Sequence, residues 1–199
     1  MTNAYPLKLR FKLIALAPKV SLTDAHGKEI LYIEQKLFAL KESVKVFDNS
    51  IDKNLLYTIK ANQLLDIGAR YIFRDLGEKE IGSTQQEGMR SLYQASYIVF
   101  DKRQTEVFRI IQANPMIAIL DTILSFIPLA DIFSNFILNP TYTISKKENE
   151  EPVLTMKKKP SFFESNFEIT AHEIDITEEQ ELLLLLSSLM LVQLERNRG

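Results

Sequence analysis

Residues 182–194 read LLLLLSSLMLVQL, in which only two serines and one glutamine interrupt the apolar side chains. A helix over these residues has no polar face wide enough to lie against water, so its whole circumference must be covered. The run is only about two thirds of the roughly 20 apolar residues that a transmembrane helix needs, so protein is the expected cover. We therefore predict that the rest of the chain folds around this segment.

The ends of this helix are also specified. Thr177 and Gln180 have the spacing of a capping box, in which each side chain accepts a hydrogen bond from the other residue's backbone N–H. Three glutamates lie near the positive end of the helix dipole, and arginines with a glycine lie at the other end. These signals predict a central helix over about 178–196.

Upstream, the chain is a series of short apolar segments separated by turn residues. Three units, in the ranges 20–30, 71–81 and 97–110, share one pattern of a strand, a turn that begins with aspartate, and a second strand. Aspartate bonds the backbone of its own turn, so each unit predicts a β-hairpin. With the remaining segments we expect about 12 strands in a closed antiparallel β-barrel, which has room for a helix.

A different pattern occupies about 115–139. Prolines at 115, 128 and 140 delimit two apolar helical segments, which predict a helical hairpin inserted in the mainly β fold. Its surplus of large apolar side chains leaves three interpretations open: a lid over one barrel mouth, an element that dips into a membrane, or a contact with a partner or a second copy. The membrane or partner contact would use Ile117, Leu120, Phe126, Ile127, Phe133 and Phe136.

Length and composition set further limits. A chain of 199 residues is long enough for one well-buried core, so we expect a single domain over 1–199. The formal net charge of −2 gives no reason to expect nucleic acid as a partner. The chain has no cysteine, as is typical of proteins in the reducing cytosol, and the apolar run after Lys12 is too short for a signal peptide. We expect a cytoplasmic protein.

The sequence carries no recognisable catalytic pattern. It contains no P-loop, GxSxG, HExxH or GxGxxG motif, and its two histidines, His26 and His172, lie in a predicted turn and a predicted polar strand. Asp121 and Asp131 could form an acid–base pair, but caps of the helix ends or solvated positions explain them more simply. We predict no catalytic residue, no metal site and no cofactor.

One group of cations lies near the amino terminus. Lys8, Arg10 and Lys12 alternate with apolar residues, so a strand over them places all three charges on one face. This face is either an ordinary solvated outer face or a stripe that binds an anionic surface.

A second group of cations lies at Lys157, Lys158 and Lys159, next to the aromatic pair at 162–163, and we interpret it as a turn. Lysines near an anionic bilayer contribute on the order of 1 kcal/mol each, and a phenylalanine pair could insert into lipid. The alternative is a solvated turn followed by a strand whose aromatic residues belong to the core.

Several short motifs, taken in their order along the chain, resemble the LURP-one-related family. They are Asp24 to Gly27, KLFALKE at 36–42, DLG at 75–77 with IG at 81–82, GMRSL at 88–92, NPTY at 139–142 and the ending ERNRG at 195–199. The resemblance covers nearly the whole chain and implies a tubby-like β-barrel of about a dozen strands around one hydrophobic C-terminal helix. In that superfamily, tubby domains bind phosphoinositide head groups and phospholipid scramblases act at membranes.

These observations lead to one main functional hypothesis and two alternatives. The main hypothesis is a non-enzymatic binding module that associates with anionic membrane lipid carrying phosphoinositide-like head groups, peripherally at the inner membrane surface. The first alternative is a protein-interaction or self-associating module that uses residues 115–138. The second is a carrier of a small apolar ligand in the barrel mouth.

Overall fold

The structure, a computed structural model, describes residues 2–12, 19–34, 43–63, 68–87, 94–113, 139–161, 164–172 and 175–196. In these ranges, twelve strands close into one antiparallel barrel in which neighbours in sequence pair and β1 pairs with β12. The prediction of a closed barrel with a C-terminal helix is confirmed. The elements are β1 (Leu7–Lys12), β2 (Lys19–Thr23), β3 (Glu29–Glu34), β4 (Val44–Phe47), β5 (Leu55–Ala61), β6 (Arg70–Arg74), β7 (Glu80–Gln86), β8 (Ser96–Asp101), β9 (Glu106–Gln112), β10 (Thr141–Lys146), β11 (Pro152–Lys159), β12 (Glu164–Ala171) and α1 (Glu178–Arg196).

The connections alternate between the two ends of the barrel because consecutive strands run antiparallel. The turn end carries the short β2–β3, β4–β5, β6–β7, β8–β9 and β10–β11 connections, and α1 begins there after β12. The other end, which we call the loop end, carries the remaining connections. These include residues 13–18, 35–42, 64–67, 88–93, 114–138 and 162–163, which lie outside the described part of the chain.

The predicted helical hairpin therefore belongs to the β9–β10 connection at the loop end, and it lies outside the described residues. All three interpretations of this insertion stay predictions. The same holds for its proposed contact residues, Ile117, Leu120, Phe126, Ile127, Phe133 and Phe136.

The three predicted hairpins are present, and their turns share one hydrogen-bond pattern. In each turn, Oδ1 of the leading aspartate accepts hydrogen bonds of 2.8–2.9 Å from the backbone N–H groups two and four residues later. The residue three positions after the aspartate has positive φ: 85° at Gly27, 61° at Glu78 and 66° at Gln104. The aspartates at 24, 75 and 101 thus close the turns that set the register of β2–β3, β6–β7 and β8–β9.

Helix α1 is covered on all sides, as its sequence requires. Every side chain from Leu183 to Leu194 is buried, including Leu186 at 0% exposure and Met190 at 1%. The capping box also forms: the N–H of Thr177 donates to Oε1 of Gln180 at 3.0 Å, and the N–H of Gln180 donates to Oγ1 of Thr177 at 3.2 Å. The barrel wall therefore buries the apolar surface of α1 on every side.

The helix approaches the barrel wall most closely at β7 and β8. Gly82 in β7 permits this approach, because a Cβ there would lie 2.5 Å from Cδ2 of Leu183 and 2.6 Å from the backbone oxygen of Phe100. One of these neighbours is backbone, so the crowding could not be relieved by a side-chain rotation alone. The spacing between the helix and this wall therefore depends on a missing side chain.

We expect Gly82→Ala to lower the free energy of unfolding by about 2 kcal/mol, since overpacking forces backbone or side chains out of place. Urea denaturation followed by circular dichroism measures the change. Gly77→Ala in the β6–β7 turn is the control, because the nearest atom to its Cβ would be Oδ1 of Asp75 at 3.3 Å. Equal losses in the two variants would contradict this account of the contact.

We expect Leu186→Asp to prevent folding, because an unpaired carboxylate inside the barrel costs more than a domain's usual margin of about 5–15 kcal/mol. Soluble yield and the presence of a cooperative thermal transition test this. Leu186→Met conserves volume and should cost less than about 1.5 kcal/mol. A Leu186→Asp variant that unfolds cooperatively near the parent temperature would show that the helix is not the core.

Candidate binding surfaces

The two groups of cations predicted from the sequence lie on the same side of the barrel. Strands β1 and β11 both pair with β12, so they are separated by one strand only. Neighbouring strands are about 4.8 Å apart, which puts β1 and β11 about 10 Å apart. Ring closure thus brings together residues that are about 150 positions apart in sequence.

The β1 cations are oriented as predicted. Burial alternates along the strand, with Lys8, Arg10 and Lys12 exposed and the intervening apolar side chains buried. None of the three has an ion pair with another described residue. The outer face of β1 therefore presents three positive charges to solvent, and Lys8 and Lys12 lie across from Glu168 and Glu164 of β12 without a direct ion pair.

The prediction of a turn at the second group is wrong. Lys157, Lys158 and Lys159 are the last three residues of β11, and each is paired in register with a residue of β12. A lysine is readily accommodated on a strand when its stem lies along the sheet and its ammonium reaches solvent. The strand ends before Pro160, which has no N–H to donate.

This strand assignment separates the three lysines. Alternation from the buried Met156 places Lys158 on the inward side of the wall, and Lys157 and Lys159 on the outer side. We use the name basic face for the outward cations of β1, β2 and β11. They are Lys8, Arg10, Lys12, Lys19, Lys157 and Lys159.

The basic face is only partly neutralised by its neighbours. On β12 between the cationic strands, the outward carboxylates are Glu164 and Glu168, and the latter pairs with Lys159 at 2.7 Å. Lys19 pairs with Glu34 at 3.7 Å. The remaining four cations have no ion pair in the described part of the chain, so the face has a clear excess of positive charge.

The turn end has the opposite charge. Its connections, counted together with flanking residues of β7, β8, β9, β10 and α1, contain fourteen carboxylates and seven lysines and arginines. The ranges counted are 24–28, 48–54, 75–80, 101–106, 146–151 and 175–179. A chain with almost no net charge therefore has a positive side and a negative end.

A third feature, which sequence reasoning missed, ties the amino terminus to the helix. Glu181 is 1% exposed and accepts five hydrogen bonds from the segment 2–5. Its Oε2 receives the N–H of Thr2 at 2.6 Å and the Thr2 hydroxyl at 2.9 Å. Its Oε1 receives the N–H of Asn3 at 3.4 Å, the Asn3 side-chain amide at 3.1 Å and the Tyr5 hydroxyl at 3.0 Å.

These donors decide the charge state of the carboxylate. Burial by itself raises the pKa of Glu181, but the hydrogen bonds from Thr2, Asn3 and Tyr5 together outweigh it and hold the pKa below its usual value. Burial, with the negative charge of Glu181, raises the pKa of the Tyr5 hydroxyl. The site is therefore an ionised carboxylate held by neutral donors, and it closes one side of the turn end without any cation among the described residues.

The other side of the turn end is open. A cleft of about 380 Å³ lies between the first turns of α1, the wall at β5 and β7, and the β8–β9 turn. Its lining combines apolar side chains with charged groups at the rim. The lining residues are Tyr57, Ile81, Lys102, Glu178, Glu179, Leu182 and Leu183.

The outer surface of β6–β9 holds a polar cluster that includes Arg70 and Arg109. The guanidinium of Arg70 lies 4.1 Å from the centre of the Phe100 ring, and its Nε donates to the Ser83 hydroxyl at 2.8 Å. Arg109 pairs with Glu87 at 3.1 Å, and Glu87 also accepts a hydrogen bond from Ser96. Arg109 is paired with a carboxylate, and the guanidinium of Arg70 is covered by the Phe100 ring, although Nη2 of Arg70 and Nε of Arg109 are buried without a hydrogen-bond partner among the described residues. This surface therefore exposes fewer cations to solvent than the basic face.

Neither a cluster of metal-ligating side chains nor a helix that could span a membrane is found in the part of the chain that the structure describes. No group of three or more histidine, aspartate and glutamate side chains is placed to hold an ion. The described helix is not long and apolar enough to cross a bilayer.

We expect Glu181→Gln to lower the free energy of unfolding by about 1–3 kcal/mol at neutral pH, because buried donors lose their charged acceptor. Since the native pKa lies below the ordinary value of 4.5, the stabilisation is complete above that value and is lost as the pH falls through the native pKa. Denaturation from pH 7 to pH 3 should therefore show the gap between parent and variant closing.

The matched control is Glu179→Gln, which removes a solvent-exposed carboxylate that pairs with Lys102 at 2.9 Å. We expect a change of less than about 1 kcal/mol, since exposed ion pairs contribute little. If the two variants lost equal stability, or if the gap of Glu181→Gln did not depend on pH, the hydrogen-bonded carboxylate would not be holding the amino-terminal segment.

Comparison with known proteins adds evidence on the fold. No family model matches the chain, and no curated protein matches it significantly in sequence. Among solved structures, it is similar to the X-ray structure of a protein from Arabidopsis thaliana, with a TM-score of 0.53 and 12% sequence identity. The similarity covers 98% of this chain and 93% of the plant protein. At this level of identity, the two chains share a related fold over nearly their full lengths.

Proposed function

We propose that this protein is a non-enzymatic binding module that docks peripherally on anionic membrane lipid through the basic face. The observation that carries the proposal is that β11, β12, β1 and β2 are neighbours in the closed barrel, which places five cations of β1 and β11 and one of β2 on one outer surface. Four of them, Lys8, Arg10, Lys12 and Lys157, have no ion pair with a described residue and are available to an external anion.

The arrangement suits a charged surface better than a single small anion. The free cations occupy three successive outward positions of β1 and one of β11, so they spread over a broad patch instead of converging on one point. Each lysine or arginine close to an anionic bilayer contributes about 1 kcal/mol. Arg10 adds planar donors that match phosphate oxygens, and Lys8 and Lys157 contribute as point charges.

The opposite charge of the turn end supports one orientation on the surface. Its excess of carboxylates is repelled by anionic lipid, so the turn end points away from the bilayer in the proposed complex. The loop end, from which the connection 113–140 extends, then lies nearer to the lipid. This orientation brings the basic face and the loop end to the same side.

We further propose that the chain is a LURP-one-related protein. Support comes from the ordered motifs in the sequence and from the related fold of the Arabidopsis protein. In this proposal the superfamily's association with membrane phospholipid is retained, while the contact surface is the basic face described above.

Co-sedimentation with vesicles tests the lipid proposal. We expect binding to phosphatidylcholine vesicles that contain phosphatidylserine or a phosphoinositide, and none to phosphatidylcholine alone. The variant Lys8→Gln/Arg10→Gln/Lys157→Gln should lose about a hundred-fold in affinity, as three contacts of about 1 kcal/mol each imply. Binding of the parent should weaken as salt is raised.

The control variant is Lys45→Gln/Lys60→Gln/Lys79→Gln. It changes the net charge by the same amount, but it neutralises exposed cations of β4, β5 and the β6–β7 turn. We expect it to bind vesicles as the parent does. If both triple variants lost the same affinity, net charge would explain the binding and the basic face would not be the contact surface. If the parent protein did not bind anionic vesicles, the proposal would be refuted.

A further inference from the structure

The cleft at the turn end has the composition of a binding site for an amphiphile. Its volume of about 380 Å³ lies within the range of small-molecule sites in proteins, which is roughly 300–1,000 Å³. The half-buried Leu182 and Ile81 provide aliphatic surface, and the half-buried ring of Tyr57 adds an aromatic wall, whereas Leu183 in the lining is already buried. An apolar group that entered the cleft would remove Leu182, Ile81 and Tyr57 further from water.

The cleft stays open because of how the helix is held. Residues four apart share a helix face, so Glu178 and Leu182 both border the cleft, whereas Glu181 projects about 100° away from Leu182. The amino-terminal segment is tied to Glu181 and therefore covers a different side of the helix. Within the part of the chain that the structure describes, no segment fills the cleft.

The charged residues at the rim of the cleft favour a positively charged ligand. Lys102 is already paired with Glu179 at 2.9 Å, so its cation is neutralised. Glu178 is exposed and has no ion pair with a described residue. The carboxylate of Asp75 also acts on this region, since burial and then the negative charge of Asp75 raise the pKa of Tyr57. The rim therefore has one uncompensated carboxylate within an acidic end of the barrel.

The positive end of the helix dipole is partly offset at this rim. The N–H of Gln180 is bonded to the Thr177 hydroxyl, and the N–H of Glu181 is bonded to the Thr177 carbonyl at 2.9 Å. These donors are not free to bind an anion. Three glutamates in the first turns further offset the dipole.

We propose that this cleft binds a small amphiphilic cation, an ammonium ion with an aliphatic or aromatic body, whose apolar part contacts Leu182 and Tyr57 and whose charge meets Glu178. The face of the Tyr57 ring is a second favourable partner for the ammonium group. The site is independent of the proposed lipid surface, because it lies at the acidic turn end and not on the basic face.

Calorimetric titration of the full chain with n-octylammonium, below its aggregation concentration, tests the proposal. We expect saturable binding that weakens about two- to four-fold for each methylene removed, because every methylene buries apolar surface. Octanol should bind more weakly, and octanoate should bind at least ten-fold more weakly than octylammonium. Octanoate that binds as tightly as octylammonium, or octylammonium that does not saturate, would overturn the proposal.

Two matched variants locate the charge. Glu178→Gln should weaken octylammonium about three- to five-fold, as expected for one partly exposed ion pair, and should leave octanol unchanged. Glu148→Gln makes the same change of charge at an exposed position in the β10–β11 turn and should leave both ligands unchanged. Equal weakening of octylammonium by the two variants would place the selectivity in the general field of the turn end, and the proposed contact would be wrong.

Discussion

The fold depends on one requirement, that a helix with no polar face be removed from water on every side. Neither a sheet packed on one face nor a neighbouring helix can meet this requirement, whereas a ring of strands can. Twelve strands form a ring wide enough to admit α1. The fit is close at Gly82, where a side chain would collide with Leu183 and with the backbone of the neighbouring strand β8. The barrel and the helix are therefore one core, and each lacks a partner for its apolar surface without the other.

Because the helix fills the interior, binding sites can lie only on the outer wall and at the ends of the barrel. On the wall, alternation places every second residue in solvent, so β1 and β11 can carry lysine and arginine without any cost to the core. At the turn end, tight aspartate-led turns place carboxylates together because that residue type closes such turns most readily. The separation of positive and negative charge thus follows partly from backbone requirements, and it produces one positive surface on the wall and one acidic end of the barrel.

The buried carboxylate of Glu181 shows how a polar group can belong to an apolar core. Its five donors come from three residues near the amino terminus, so the first strand and the helix are joined at the point where the helix begins. A glutamate in the first turn of a helix is expected from the dipole alone, and its neighbours Glu178 and Glu179 are exposed as that interpretation suggests. No sequence signal distinguishes Glu181 from them, since its partners lie up to 179 residues away.

Sequence patterns were sufficient to predict the features that depend on neighbouring residues. These are the capping box of α1, the aspartate-led hairpins, the alternation of β1 and the need for an enclosing sheet. The lysines of β11 were misassigned because a charged run before a proline is also typical of a turn, and only pairing with β12 decides between the two. The closing pair β1–β12 and the bond between Thr2 and Glu181 join opposite ends of the chain. Such contacts are selected by burial and geometry in three dimensions, so the basic face, the buried carboxylate and the cleft exist only in the tertiary structure. The helix itself, and its need for an enclosing sheet, can be predicted from thirteen consecutive residues.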